Sequence, residues 1–175
     1  MCVVEVGIGQ QRLDLRLVDE RRGIERLDPD VVALQEVVRR GDRSQADELA
    51  EGFDYHVAFG SARAIDDRSD YGNALLSRFP ILQYENQDIS DHRMEQRGLL
   101  HAVVDVGGRP VHCIVVHLGL FNSGRVRQVQ ALLDRIKRIV PADEPLLIAG
   151  DFNDWNNRLA PIFVQQLNLY EVFSF

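Results

Sequence analysis

Residues 146–153 read Leu146-Leu147-Ile148-Ala149-Gly150-Asp151-Phe152-Asn153, and this stretch decides the fold. An uninterrupted apolar run of this length is typical of a short strand that is buried on both faces of a sheet. The strand ends at a glycine, and an aspartate follows it directly. Strand ends of this kind are where α/β proteins often bind ligands. By itself, however, Gly-Asp-Phe-Asn is equally consistent with an Asx-type turn.

Two other reactive side chains follow apolar strands in the same way. Glu36 comes after Val-Val-Ala-Leu-Gln, and His117 comes after Cys-Ile-Val-Val. If these strands run side by side in one direction, we expect Glu36, His117 and Asp151 to share one rim of a sheet. Taken singly, each has an ordinary explanation: a solvated or capping carboxylate, a structural histidine, and a turn aspartate. The combination of all three favours a functional site.

The chemistry of this set is that of metal-assisted phosphoester cleavage. Glu36 and Asp151 offer hard carboxylate oxygens, and proteins hold Mg²⁺ or Mn²⁺ with one or two carboxylates, water and substrate phosphate. His117 titrates near neutral pH and suits proton transfer or hydrogen bonding to a phosphoryl group. The amide of Asn153 can orient a water molecule without adding charge. We therefore predict a phosphoester hydrolase that activates water with the help of a divalent metal.

The rest of the chain alternates between strand and helix signals, which predicts a mixed α/β layered domain. Gly107-Gly108 predicts a tight hairpin, and Asn122 or Ser123 is expected to cap a helix whose apolar residues recur along one face up to residue 139. Pro161 suits the first turn of a last helix over about residues 159–167. The other predicted elements are a helix over about 13–27 and strands over 31–34, 55–59, 73–77, 82–89, 99–106 and 111–118.

Length and composition set the remaining expectations. A chain of 175 residues with 45% hydrophobic content can form one domain without disulfides or a structural metal. Cys2 and Cys113 are expected to be unpaired core residues, as in a reducing compartment. No signal peptide or membrane span is expected, which predicts a cytoplasmic monomer. The net charge of −7 argues against a non-specific nucleic-acid coat.

Five short motifs occur in an order that carries a family resemblance: Leu34-Gln35-Glu36, Gly72-Asn73-Ala74-Leu75-Leu76-Ser77-Arg78, Arg97-Gly98, Val116-His117-Leu118 and Gly150-Asp151-Phe152-Asn153. From about residue 28 to residue 175, the chain resembles the endonuclease/exonuclease/phosphatase family. The resemblance implies a four-layer α/β/β/α sandwich and a Mg²⁺ (or Mn²⁺) dependent hydrolase. Its substrate would be a phosphoester in a nucleic acid, a phosphorylated small molecule or a lipid head group.

The resemblance also implies roles for individual residues. Glu36 would bind the metal, His117 would contact or protonate the phosphoryl group, and Asp151 with Asn153 would position the attacking water. Arg97 would contact phosphate, although a solvated charge at a strand end is an alternative. Asn73 would either form part of the site wall or belong to a turn. Arg125, together with Gln128, would fasten the loop after His117, contact substrate, or simply lie on the surface of a helix.

The sequence departs from the family pattern in two places. Members carry an asparagine in the first strand and a Ser-Asp-His motif near the end, yet no asparagine precedes Asn73 and no histidine follows His117. We therefore expect residues 1–175 to form a partial domain that lacks both ends of the catalytic set. An inactive phosphate-binding module is the alternative to an enzyme, and a non-enzymatic interaction protein on the same fold is a third possibility.

Overall fold

The computed structural model describes residues 3–7, 13–93, 95–155 and 158–170, with side chains from residue 18 onward within those ranges. One sheet contains β1 (Val3–Gly7), β2 (Val31–Arg40), β3 (Arg43–Ser44), β4 (His56–Asp66) and β5 (Ser69–Ser77), and we call it sheet A. Sheet B contains β6 (Ile81–Asp88), β7 (Gly98–Asp105), β8 (Pro110–His117) and β9 (Leu146–Asp151). The helices are α1 (Leu13–Leu27), α2 (Gln45–Ala50), α3 (Asn122–Ile139) and α4 (Ala160–Leu167).

The two sheets pack face to face between outer helices. Sheet A has the order β1-β2-β5-β4 with β3 beside β2, and sheet B has the order β6-β7-β8-β9. Small and branched apolar residues of both sheets fill the interior, and Cys113 lies among them. Residues of α1 and α2 pack on the outer face of sheet A, and residues of α3 and α4 pack on the outer face of sheet B. The predicted four-layer α/β/β/α sandwich is therefore confirmed.

The strands that carry the three candidate residues do not lie side by side, so that expectation is wrong. Of these three strands, β8 and β9 are parallel neighbours, and their last paired residues are His117 and Asp151. Strand β2, which carries Glu36, belongs to sheet A, where it pairs with β1 and β5. Both sheets bury their central strands on two faces, so an apolar run cannot indicate which sheet a strand joins. The rim is instead formed by strands of both sheets.

Several local predictions can be compared with the structure. Gly107 and Gly108 both adopt positive φ, at 64° and 84°, and form the predicted hairpin turn between β7 and β8. The predicted caps of α3 are wrong, because Phe121 occupies the N-cap position and makes no side-chain capping bond. Cys113 is buried, as expected, and burial raises its thiol pKa to about 12, while Cys2 lies outside the described residues. Within the described ranges, no helix is both long and apolar enough to cross a membrane.

Candidate active site

Glu36 lies at an irregularity inside β2 rather than beyond the end of a strand. The pairing of β2 with β5 shifts between Leu34 and Val37, so that Gln35 and Glu36 together face Asn73 in a β-bulge. Glu36 has a left-handed backbone with φ at 58°, which costs a residue with a side chain roughly 1–2 kcal/mol. Strand β2 continues after the bulge to Arg40, and the expected end at residue 34 was therefore too early.

The bulge gives Gln35 and Glu36 different surroundings. Gln35 is buried, whereas Glu36 is half-buried and lines a cleft between the two sheets. Among the residues whose side chains are described, none forms a hydrogen bond or ion pair with the Glu36 carboxylate. Strained backbones of this kind cluster at functional sites, so the position makes Glu36 a candidate functional residue.

His117 and Asp151 meet at the ends of β8 and β9. The distance between Nε2 of His117 and Oδ2 of Asp151 is 3.9 Å, and the His117 side chain is 12% exposed while that of Asp151 is 52% exposed. Burial lowers the pKa of His117, and the positive charge of Arg97 lowers it further, while Asp151 and Glu95 oppose the shift. His117 is therefore a neutral imidazole near neutral pH, and it can accept a proton or a hydrogen bond.

Gly150 allows β9 to approach β8 this closely. Its φ is 142°, and a Cβ atom at this position would lie 1.8 Å from the carbonyl oxygen of Val116. A side chain would therefore push the two strands apart. Gly150 thus sets the separation of the strands that carry His117 and Asp151.

Asp151 and Asn153 form the Asx-type turn that the sequence also suggested. The backbone N–H of Asn153 donates to Oδ1 of Asp151 at 2.8 Å, and Asn153 has a positive φ of 49°. The Asn153 amide donates to the carbonyl oxygen of Leu118 at 2.8 Å. These bonds tie the loop after β9 to the loop after β8, so one amide proton of Asn153 already has a structural partner.

Arg97 is a largely buried member of the cleft wall, which argues against the alternative of a solvated charge at a strand end. Its side chain is 11% exposed. The guanidinium donates to the carbonyl oxygen of Leu118 at 3.3 Å and to the hydroxyl of Tyr71 at 3.2 Å. It is also 3.4 Å from Oε1 of Glu95. Arg97 is therefore held in place by strands of both sheets, next to His117.

Asn73 lies within β5 and joins the two sheets, so the turn alternative is wrong. Its side-chain amide donates to the carbonyl oxygen of Gly98 at 2.8 Å and to that of Val115 at 3.3 Å. The side chain is 2% exposed, yet it forms part of the cleft wall. Asn73 thus fixes the distance between the sheets directly behind the cleft.

Arg125 fastens the loop after His117. Its guanidinium donates to the carbonyl oxygens of Gly119 at 3.0 Å and Leu120 at 2.7 Å. Arg125 lines neither of the two spaces that surround Arg97. The amide oxygen of Gln128 accepts the Gly119 N–H at 2.7 Å. Of the alternatives open from the sequence, the contacts support loop fastening.

Glu95 is a residue of this site that the sequence did not reveal. It is 8% exposed, and its Oε1 accepts the N–H of Leu120 at 2.8 Å while also facing Arg97. Glu95 therefore connects Arg97 with the loop after His117. The only local signal was its place two residues before Arg97-Gly98, and nothing in that spacing predicts a bond to residue 120.

Two connected spaces surround Arg97. The inner cleft holds about 10 Å³, roughly the room for one water molecule, and its wall includes Glu36, Tyr71, Asn73, Arg97 and His117. The outer pocket holds about 350 Å³. It shares Tyr71, Gln96 and Arg97 with the inner cleft and adds Arg63, His92, Glu95, Leu120 and Phe121. Asp151 and Asn153 line neither space. Asp151 lies beside His117, which lines the inner cleft, and Asn153 bonds to the loop after His117.

The donor set fits a metal held by one carboxylate but not by an all-protein cage. No group of three or more His, Cys, Asp and Glu side chains converges on a metal position in the part of the chain that the structure describes. Mg²⁺ commonly keeps several waters and uses one or two carboxylates together with substrate phosphate. The unpaired Glu36 beside a cleft of water size satisfies that pattern.

Comparison with known proteins agrees with this geometry. The model of the "Endonuclease/Exonuclease/phosphatase family" matches residues 9–165. "Uncharacterized protein YbhP" of Escherichia coli (strain K12) is 34% identical over an alignment of 171 positions, and the match covers 90% of this chain and 67% of the relative.

Solved structures show the same fold. An endonuclease/exonuclease/phosphatase family protein from Leptotrichia buccalis superposes with a TM-score of 0.75 at 18% identity, over 95% of this chain and 74% of the other. TDP2 of D. rerio, complexed with a single-strand DNA product, superposes with a TM-score of 0.66 at 25% identity. That match covers 90% of this chain and 63% of TDP2.

Proposed function

The chain belongs to the endonuclease/exonuclease/phosphatase family, and from this premise we propose that it is a divalent-metal-dependent phosphoester hydrolase. The observation that carries the proposal is the meeting of Glu36, Arg97 and His117, from both sheets, at one cleft. Structural neighbours in the family are phosphoester hydrolases. In the proposed reaction, a water molecule attacks the phosphorus atom.

Glu36 would hold Mg²⁺ or Mn²⁺, with water and substrate phosphate as the other ligands. When bound, the metal supplies charge neutralisation for the phosphate and lowers the pKa of a coordinated water. Arg97 would contact a phosphate oxygen with a guanidinium that is already held in place, which reduces the cost of ordering it.

Where Nδ1 carries the ring proton, the neutral imidazole of His117 would accept a hydrogen bond or a proton, and in the other tautomer it would donate a hydrogen bond to the phosphoryl group from Nε2. Asp151 lies beside that nitrogen and stabilises the imidazolium that forms if the proton is taken up. Asn153 would help to position water, and its bond to Leu118 keeps the two loops in register for that task. Asn73 and Arg125 act as positioning residues in this proposal.

Removal of the Glu36 carboxylate tests the metal role. Loss of an outer-shell partner of a metal ligand usually weakens metal binding by roughly 10- to 100-fold. Because Glu36 would bind the metal directly, we expect Glu36→Ala to weaken Mg²⁺ binding by more than that. Isothermal titration with MgCl₂ measures the affinity, and hydrolysis of bis(p-nitrophenyl) phosphate measures the activity. Glu48→Ala, at an exposed position of α2, is the matched control. Unchanged Mg²⁺ affinity in Glu36→Ala would reject the site.

A phosphate-binding module without turnover is the second candidate, because residues 118–175 contain no histidine that could act as a second proton-transfer group. The loss of a general acid or base costs roughly 10²–10⁴-fold in rate. Under this alternative, the protein binds phosphoesters but releases no product at any Mg²⁺ concentration. Hydrolysis that is abolished by His117→Ala excludes it.

A further inference from the structure

The outer pocket is placed to receive whatever is attached to the phosphate in the inner cleft. Arg97 and Tyr71 line both spaces, and Arg97 donates to the Tyr71 hydroxyl at their junction. A phosphate that contacts Arg97 would therefore direct one of its ester groups into the outer pocket. Its volume of about 350 Å³ lies in the range of small-molecule sites.

Part of the pocket wall is a loop with exposed apolar side chains, and hydrogen bonds hold the backbone of this loop. Leu120 is 59% exposed and Phe121 is 63% exposed. Glu95, Arg125 and Gln128 hold the backbone of residues 119–120 by hydrogen bonds. A fixed loop that keeps an aromatic ring in water gains burial when a ligand covers that ring.

The geometry of the rings favours a flat ligand. The ring centroids of His92 and Phe121 are 6.2 Å apart and the ring planes are inclined by 50°. The two rings thus form an open corner rather than a closed stack. An aromatic ring or nucleobase can stack on Phe121 and contact the edge of His92.

The pocket lining also includes two arginines, Arg63 and Arg97. Arg63 lies on β4 opposite Tyr71 of β5, and its guanidinium forms no hydrogen bond or ion pair with any residue whose side chain is described. An exposed guanidinium without a partner at the rim of a pocket suits a second anionic group on the ligand. A lipid acyl chain would gain nothing from Arg63, Gln96 and Arg97.

We propose that the outer pocket binds a nucleobase next to the scissile phosphate of a single-stranded oligonucleotide, with the base on Phe121 and the adjoining phosphate at Arg63. This inference rests on the proposed phosphoesterase function and names the substrate class of the same site. Single-stranded nucleic acid is bound through such combinations of aromatic platforms and cationic groups.

Binding of a short single-stranded DNA that contains 2-aminopurine tests the pocket without requiring turnover, because stacking quenches the fluorescence of this base. We expect Phe121→Ala to lose the quenching and to weaken binding by roughly 5- to 150-fold, the range for one lost base–aromatic stack. Phe121→Tyr should restore both. Tyr84→Ala removes an exposed aromatic residue that lines neither space, and it should behave as the unsubstituted protein.

Arg63→Gln should weaken binding of the same DNA and lower the slope of log affinity against log salt by about 0.7, the value for one phosphate contact on a single strand. Arg109→Gln, at the exposed β7–β8 turn, is the matched control and should leave the slope unchanged. An unchanged slope in Arg63→Gln would contradict the phosphate contact.

The outcomes separate this inference from the proposed function. Quenching that depends on Phe121, without cleavage of the DNA, would support the pocket and reject the hydrolase. Cleavage of both the DNA and the aliphatic diester glycerophosphocholine, with Phe121→Ala affecting neither, would support the hydrolase and overturn the pocket. Binding to phosphatidylcholine vesicles that Phe121→Ala abolishes, with no binding of the DNA, would assign the surface to lipid and overturn the inference.

Discussion

Sheet B carries histidines in two contrasting surroundings. On the face that α3 covers, Nε2 of His101 is 2.8 Å from Nδ1 of His112, and Nε2 of His112 is 2.6 Å from Oε2 of Glu144. At the other end of β8, His117 faces the inner cleft, and its Nε2 is 3.9 Å from the carboxylate of Asp151. His112 thus uses both ring nitrogens within the chain, whereas the Nε2 of His117 stays available.

The contrast indicates that histidines of the same sheet have different roles, one set in stability and His117 in the proposed reaction. The His101–His112–Glu144 chain satisfies buried polar groups, and it holds the residues before β9 against sheet B. His117 keeps a hydrogen-bonding nitrogen for a group from outside. We therefore expect substitutions in the first set to change stability and substitutions of His117 to change turnover.

The largest effect is expected for His117→Ala. Loss of the proposed proton-transfer group should reduce kcat/KM for a phosphodiester by roughly 10²–10⁴-fold, while the melting temperature changes little. His56→Ala, at an exposed position on β4, is the matched control. A folded His117→Ala variant that retains full activity would remove the distinction between the two groups of histidines.

A smaller effect, of a different kind, is expected for His112→Ala. This change leaves the buried His101 without its partner, and one unsatisfied buried group costs about 1–3 kcal/mol, whereas the partly exposed Glu144 can turn to water. Thermal unfolding should shift downward by roughly 2–4 °C for each kcal/mol lost. Activity per folded molecule, measured below the transition, should stay unchanged; a large loss of kcat there would contradict a purely structural role.

The smallest effect is expected in the pH dependence of stability. Burial lowers the pKa of His101 to about 4, the charges of His112 and Arg135 add to the shift, and Glu85 opposes it. The unfolded chain, with a histidine pKa of about 6.5, therefore binds more protons between pH 6.5 and pH 4. The stability that neutral His101 provides is complete above about pH 6.5 and is lost as the pH falls toward 4.

His101→Gln should flatten this dependence. The difference in melting temperature between pH 7 and pH 5 should be smaller in the variant than in the unsubstituted protein, and His56→Ala should leave it unchanged. An identical difference in all three proteins would show that His101 does not titrate in this window.

Local sequence patterns were sufficient for most of the fold. The apolar face of α3, the Gly107-Gly108 turn and the buried strands each follow from residues close together in the chain. The ordered motifs then selected the sandwich and brought His117 and Asp151 together at paired strand ends. These features depend on spacing that a sequence displays directly.

The rest of the site depends on partners that are distant in the chain. The bulge at Glu36 exists only because β2 pairs with β5, and the bonds of Asn73 reach residues 25 and 42 positions away. The burial of Arg97 and its contact with Glu95 follow from how the two sheets meet. No local periodicity encodes those contacts, so the sequence indicated candidate residues but not how the fold holds them.

The close approach at Gly150 has a consequence for the evolution of this motif. Since any side chain there would collide with β8, selection for folding alone is enough to keep the glycine, even in a descendant that has lost the reaction. Glu36 accepts a strained backbone, and its carboxylate forms no hydrogen bond or ion pair with the described side chains, so under the proposed metal role its retention would reflect selection for chemistry. Among descendants, a retained glycine would therefore reflect shared architecture, and a retained Glu36 would be the better marker of the proposed reaction.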